Sequence, residues 1–395
     1  MTAMTMTVPA VARRPRLITR PLMLVFAADF GGLTSFYLLI AVVPQYAAAG
    51  AGGVGAGLAT GVLMLSTVAA EFVTPRLVAR FGYRAVLAAG LVLLGAPTLA
   101  LMASASMLTI AGVSVVRGAG LAIIFVVCSD MSAALVPPER RGEGLGVLGV
   151  VAGLPAVIGT PLGLWLAEQI GYQLAFVIGA LAALAGLAAV PGLPDRRLGP
   201  AGTQPAGQAL GIVASLRKPA LLRPATVFAA TAMAAGILLT FLPAAVPGAS
   251  QDFVAVALLT NAATATLTRW WAGRHGDRHG PATLLIPGTV VATVGILSLV
   301  LVASPAAVIV GMMLFGAGFG VVQNASLALM YDVTSPSGHG TVAALWSIAY
   351  DTGWGLGAVV FGVVAAHTSY TVGFACTAGV MLTVLVAAYR VRPGQ

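Results

Sequence analysis

Asp29, Arg117 and Asp351 each stand inside a long apolar run of the chain. An ionised group at that depth in a bilayer is costly unless it is paired, protonated or hydrated, so each is a candidate for function. Asp29 lies about eight residues into its run, roughly 12 Å along a helix, with Thr34 and Tyr37 close after it. Facing a central cavity, it would bind a proton or recognise a cation. Lying at the interface instead, it would answer Arg20. Asp351 falls near the middle of its run, in SIAYDTGWGLG, between Tyr350 and Trp354. A carboxylate is disfavoured as an anion when buried, which lets such a group load and release a proton. Arg117 also falls near mid-run. A guanidinium does not give up its proton under ordinary conditions. It is therefore a fixed charge beside which Asp29 and Asp351 titrate, an anchor for an anion, or half of a helix-tying ion pair.

Uncharged polar and aromatic groups at similar depth extend the candidate cavity: Thr34, Tyr37, Gln323, Asn324, Trp346, Tyr350 and Trp354. The two tryptophans offer a wall to a flat or cationic ligand. The same groups are also able to satisfy one another between helices. Glu71 and Asp130 stand near the arginine-bearing ends of their runs and are expected to pair with arginines of the segment 76–84. Such pairs would lock one end of the molecule, with Asp332 doing the same later in the chain. Gly153, Gly159, Pro161 and Gly163 line one apolar run and are expected to allow close, bendable helix packing.

Composition sets the environment of these groups. The chain is 59% hydrophobic and 8% charged, against about 25% charged in a soluble domain. Too few polar residues exist to cover a solvated surface. Twelve runs are long enough to cross about 30 Å of hydrocarbon as helix: near 22–46, 53–75, 85–103, 107–131, 144–167, 172–190, 224–245, 251–270, 282–302, 306–330, 341–366 and 371–389. All 20 Lys and Arg except Arg117 lie in the two tails or in alternate connections. The connections 47–52, 104–106, 168–171, 246–250, 303–305 and 367–370 contain none. The positive-inside rule then places both termini in the cytoplasm and requires an even number of spans.

The formal charge of +9 is spread over many short connections, which argues against nucleic-acid binding. Cys128 and Cys376 read as small apolar residues of two spans, and the four histidines form no metal-ligand pattern. No phosphate-binding loop and no nucleophile–base spacing is present, so neither an enzyme nor a nucleotide-driven pump is expected. The run after Pro21 is too long for a signal peptide and reads as an uncleaved first span.

The two halves resemble each other at one offset. RFGYRAVL (80–87) falls on RHGPATLL (278–285), GAGL (118–121) on GAGF (316–319), and Gly142 on Gly340. The predicted architecture is all-α and polytopic, with two six-helix bundles at 22–190 and 224–389. The tails 1–21 and 390–395 and the linker 191–223 are expected to be cytoplasmic.

AGRHGDRHGP resembles the G-x-x-x-D-R-x-G-R/K loop of the major facilitator superfamily, with Gly273, Asp277, Arg278 and Gly280 matching and Pro281 departing. Its first-half counterpart, PRLVARFGYR, matches at Arg80, Gly82 and Arg84 and departs at Pro75 and Ala79. VVRGAG is similar to the family's fourth-span arginine motif, and GTPLG to the fifth-span motif of drug–proton antiporters. AYDTGWGLG is similar to a stretch of the arabinose-type efflux permeases. The resemblance implies a plasma-membrane transporter working by alternating access, driven by the proton gradient and needing no cofactor. Proton-coupled export of an organic small molecule or drug-like metabolite is the expected activity. Its partners are the substrate, protons and the lipid bilayer, and it is expected to act as a monomer. The alternatives are an importer or uniporter of a sugar or small organic anion, and a non-transporting membrane sensor or scaffold.

Overall fold

The computed structural model describes residues 19–136, 141–194, 218–246, 248, 251–335 and 338–389. Both tails and most of the 191–223 linker lie outside the described residues. All regular structure among the described residues is helical. In chain order the helices are α1 (Arg20–Leu39), α2 (Val42–Gly95), α3 (Met107–Leu135), α4 (Arg141–Gln169), α5 (Tyr172–Ala185), α6 (Pro219–Ala245), α7 (Gln251–His279), α8 (Ala282–Ser298), α9 (Pro305–Asp332), α10 (His339–His367) and α11 (Tyr370–Tyr389). Short 3-10 turns extend α2, α5 and α8 at Ala96–Met102, Gly186–Gly192 and Leu299–Leu301.

Helix α2 has 54 residues, about 80 Å at 1.5 Å per residue, far more than one crossing needs. It is folded twice. Ala51 and Gly52 leave helical geometry at the first bend, and Gly82, with φ of 81°, makes the second. Those bends fall in the connections expected at 47–52 and 76–84. Among the described residues, seven helices are long and apolar enough to cross a membrane, with Arg20–Met102 counted as one. Their outward faces carry bare apolar side chains such as Leu108, Leu297 and Leu301, a surface suited to lipid.

The repeat read from the sequence recurs as geometry. Gly82 and Gly280 stand at matching positions, and both take a left-handed backbone, with φ of 81° and 83°. Only glycine enters that region without strain. Ser106 caps α3 by accepting from the Thr109 amide at 3.2 Å, and Ser304 caps α9 by accepting from the Ala307 amide at 3.4 Å. Gly120 lies against Gly90 and Leu94 of α2, while Gly318 lies against Gly288 and Ala292 of α8. All of these pairs share one sequence offset.

Helices of residues 20–192 meet those of 219–389 through α2 on α10, α2 on α6 and α4 on α7. The seam is made of small residues. A Cβ added at Gly362 would sit 2.6 Å from the Gly53 carbonyl oxygen, and one at Gly61 would sit 3.2 Å from that of Gly355. Thr60 and Thr240 share a hydrogen bond at 3.0 Å across it. Gly53 and Gly362 adjoin connections that contain no Lys or Arg. The two halves are therefore sealed together at the end opposite the arginine-bearing connections.

Helix α4 lies equally close to α1. A Cβ at Gly159 would come 2.9 Å from that of Tyr37, and one at Gly163 would overlap the Leu38 carbonyl. Gly153 corrects the sequence reading, because a Cβ there meets nothing within 4 Å. Its position on α4 has drifted off the packed face. Gly163→Ala should lower the melting temperature of the purified protein, at a cost of roughly 1–3 kcal/mol for overpacking. Gly153→Ala should leave it unchanged. Equal melting temperatures for the two variants would contradict the packing described.

Candidate functional site

The site is built by α1, α2, α6, α7, α9 and α10, and adjoins the small-residue seam where α2 meets α10. Tyr37 comes from α1. The Thr160 hydroxyl of α4 donates to the Tyr37 carbonyl at 3.0 Å, and Gly159 leaves room for the Tyr37 side chain. The GTPLG stretch thus positions Tyr37. Tyr350 comes from α10 and is, like Tyr37, half-buried.

Arg269 of α7 completes this group. It is the cation that acts electrostatically on both Tyr37 and Tyr350. It is also solvent-exposed. Arg269 thus combines an exposed side chain with reach to side chains of α1 and α10. Among the described residues, no carboxylate acts on its guanidinium. By sequence alone Arg269 falls at the start of the arginine-bearing connection 269–281 and reads as a topological charge. The available signal was its place one residue beyond the polar stripe Asn261, Thr264 and Thr268.

Asp351 adjoins Tyr350 in sequence, is 4% exposed, and acts on both Tyr350 and Tyr37. Its charged neighbour is Glu71 of α2. This corrects the sequence reading, which paired Glu71 with the arginines of segment 76–84. The close approach of α2 to α10 at Gly355 and Met64 brings the two acids together instead. Asp29 is also 4% exposed, and it acts on Tyr37 and on the buried Cys128 of α3.

Arg117 occupies a different place from the one expected. It is 1% exposed. Its Nε donates to the Leu94 carbonyl at 3.2 Å and its Nη2 to the Ser35 carbonyl at 3.4 Å. Nη1 has no partner. Two of its donors tie α3 to α1 and to the end of α2. Among the described residues, the cation that acts on Tyr37 and Tyr350 is Arg269 and not Arg117.

The aromatic wall differs in membership. Phe228 of α6 stacks on Trp346 with centroids 4.3 Å apart and planes 11° apart, and on Tyr350 at 5.6 Å and 17°. Trp354, expected in the cavity, is 2% exposed and packs on Gly236. Its Nε1 has no partner. Trp346 donates from Nε1 to the Ser326 hydroxyl at 3.1 Å. Gln323 shares a face of α9 with Phe319 and Ser326 by helical spacing, and its buried Oε1 has no partner. The same holds for Thr34 Oγ1. Asn324 lies with Nδ2 near Gly273 of α7, so it sits at the helix pair α7–α9.

The remaining candidates gather at the arginine-bearing end. Arg80 lies over Phe81 at 5.2 Å, Arg84 donates to the Leu193 carbonyl, and Asp130 acts on Tyr83. Gly273, Asp277 and Arg278 lie in the last turns of α7, where Arg274 covers Trp270 at 3.8 Å. Asp332 is exposed at the end of α9. Cys376 is exposed on its helix, while Cys128 is buried. Among the described residues no group of His, Cys, Asp and Glu is arranged to hold a metal ion.

The sequence profile of the Major Facilitator Superfamily matches residues 24–266 and 225–395. No curated protein matches the chain. Among solved structures, a mutant of the nucleoside transporter NupG superposes with a TM-score of 0.77 at 13% identity, covering 94% of this chain and 99% of that one. A bacterial homolog of the human lysosomal transporter Spinster, inward-facing and occupied, gives 0.74 at 16% identity, covering 94% and 95%. Unmutated NupG gives 0.74 at 14% identity, covering 95% and 100%. A family profile matched over nearly the whole chain, on a multi-pass helical fold shared with these carriers, makes the chain a member of the major facilitator superfamily, a secondary-active membrane transporter of a small organic molecule and not an enzyme.

Proposed function

We propose that the chain carries a small organic anion, bound at Arg269, together with protons held by Asp351 and Glu71. The observation that carries this reading is the grouping of charge: among the described residues no carboxylate acts on the Arg269 guanidinium, while Asp351 acts on the same two tyrosines and on Glu71. Coulomb's law gives the sign of the coupling. An anion at Arg269 adds negative charge beside the acids and protons on those acids remove it, so each favours the other's binding. That coupling is reciprocal. Cargo and proton then move in the same direction, and an inward proton gradient drives uptake. Export by exchange, the direction expected from the sequence, requires cargo that displaces protons. A cationic cargo would do so, and Arg269 disfavours it.

Alternating access by twelve spans in two bundles, 22–190 and 224–389, is the proposed mechanism, with 191–223 linking them and both termini cytoplasmic. The matched glycines, caps and helix contacts of the two halves support it. The seam between Gly53 and Gly362 closes the end without arginines, which in this orientation is an inward-facing state. The Asp29 carboxyl is the second candidate proton site, from the other half.

Vesicles containing the purified chain and a pH-sensitive dye test the reading. Addition of a transported organic anion should acidify the interior as the anion enters. Alkalinisation would replace co-transport with exchange, and anion entry without proton movement would remove coupling.

A further inference from the structure

Two features of the cavity are not used by a generic anion carrier. The first is the aromatic surface of α10. Trp346 and Tyr350 stand one helical turn apart with planes only 7° apart and centroids 6.3 Å apart. Phe228 covers one side of both, and the Ser326 hydroxyl holds the indole in place. Both rings keep part of their surface exposed. The result is a pair of near-parallel rings backed by Phe228, with Trp354 edge-on to Tyr350 at 5.2 Å and part of each ring left exposed. The second is Gln323, whose Oε1 is buried with no partner among the described residues, on the face of α9 that carries Phe319 and Ser326. A side-chain acceptor left unsatisfied in a cavity is costly until something donates to it.

Flat rings gain stacking energy on such a pair beyond the area they bury, and saturated, puckered rings do not. Arg269 belongs to the same site, because it and the ring pair share Tyr350. Its planar fork suits a carboxylate held by two hydrogen bonds.

We propose that the cargo is a planar aromatic carboxylate, with its ring system on Trp346 and Tyr350, its carboxylate toward Arg269, and a ring-borne donor toward Gln323. This rests on the anion-carrier reading and narrows it to a class of substrate. It requires no covalent step.

The test uses three probes of similar size, titrated calorimetrically into the purified full chain. 2-Naphthoate is flat and anionic. Decahydro-2-naphthoate has the charge without the flat ring. 2-Naphthamide has the ring without the charge. 2-Naphthoate should bind tightest, with each of the others weaker by roughly tenfold, the size of one good stack or charge-assisted contact. Trp346→Leu should abolish the preference for the aromatic acid over its saturated analogue, and Trp346→Phe should keep it. Arg269→Gln should abolish the preference for acid over amide. Equal binding of the two acids by the wild-type chain would overturn the aromatic assignment and leave the anion carrier standing. Equal binding of acid and amide would overturn both. Failure of all three probes to bind would overturn the substrate class, with the vesicle assay reporting separately on anion transport.

Discussion

Asp351→Asn should lower proton-driven accumulation of cargo in vesicles by about a hundredfold, near the upper end of the 1–3 kcal/mol typical of coupling between sites. Asparagine keeps the shape and most of the hydrogen bonding of the carboxyl but cannot take up a proton. Exchange of labelled for unlabelled cargo with no pH gradient should survive, because that reaction needs the cavity and not the proton. This split separates a coupling role from a folding role. Glu71→Gln should give the same split, since Glu71 is the charged neighbour of Asp351. If Glu71 were a lock on the arginines of segment 76–84, its loss would change exchange and accumulation alike. Asp29→Asn should affect accumulation less, because Asp29 acts on Tyr37 and Cys128 and not on the acid pair. Unchanged accumulation in Asp351→Asn would remove this residue from the mechanism.

Arg269→Gln should weaken binding of anionic cargo by about tenfold or more, corresponding to the roughly 1.5–3 kcal/mol of a hydrogen bond to a charged group. Arg269→Lys should restore part of the loss. It returns the charge but not the planar fork that holds a carboxylate by two bonds. Arg117→Gln makes the informative contrast. Arg117 donates to the Leu94 and Ser35 carbonyls, so its removal should reduce the yield of folded protein. Cargo affinity of the protein that does fold should stay the same. Binding measured against chain that survives detergent extraction distinguishes the two arginines. Loss of affinity in Arg117→Gln with full affinity in Arg269→Gln would reverse their assignment.

The two arginines also mark where sequence and tertiary structure divide. Hydropathy and the placement of charge are one-dimensional, and they determined the membrane class, the position of the bends and the internal repeat. Glycines at 82 and 280 both take the left-handed backbone that their matching positions in the two halves imply. The polar neighbourhood of Asp351 was also legible, because an acid between Tyr350 and Trp354 in an apolar run has few innocent explanations. What the sequence left open was rotation and reach. An arginine at a span end can extend to the headgroups or turn inward, and Arg269 turns inward to Tyr37 and Tyr350. An arginine at mid-span can face a cavity or be spent on backbone carbonyls, and Arg117 is spent. Glu71 meets Asp351, and Trp354 packs away against Gly236 while Phe228 joins the wall. Each outcome depends on which face of a helix meets its neighbour. Packing between distant helices decides that, and no local pattern along the chain records it.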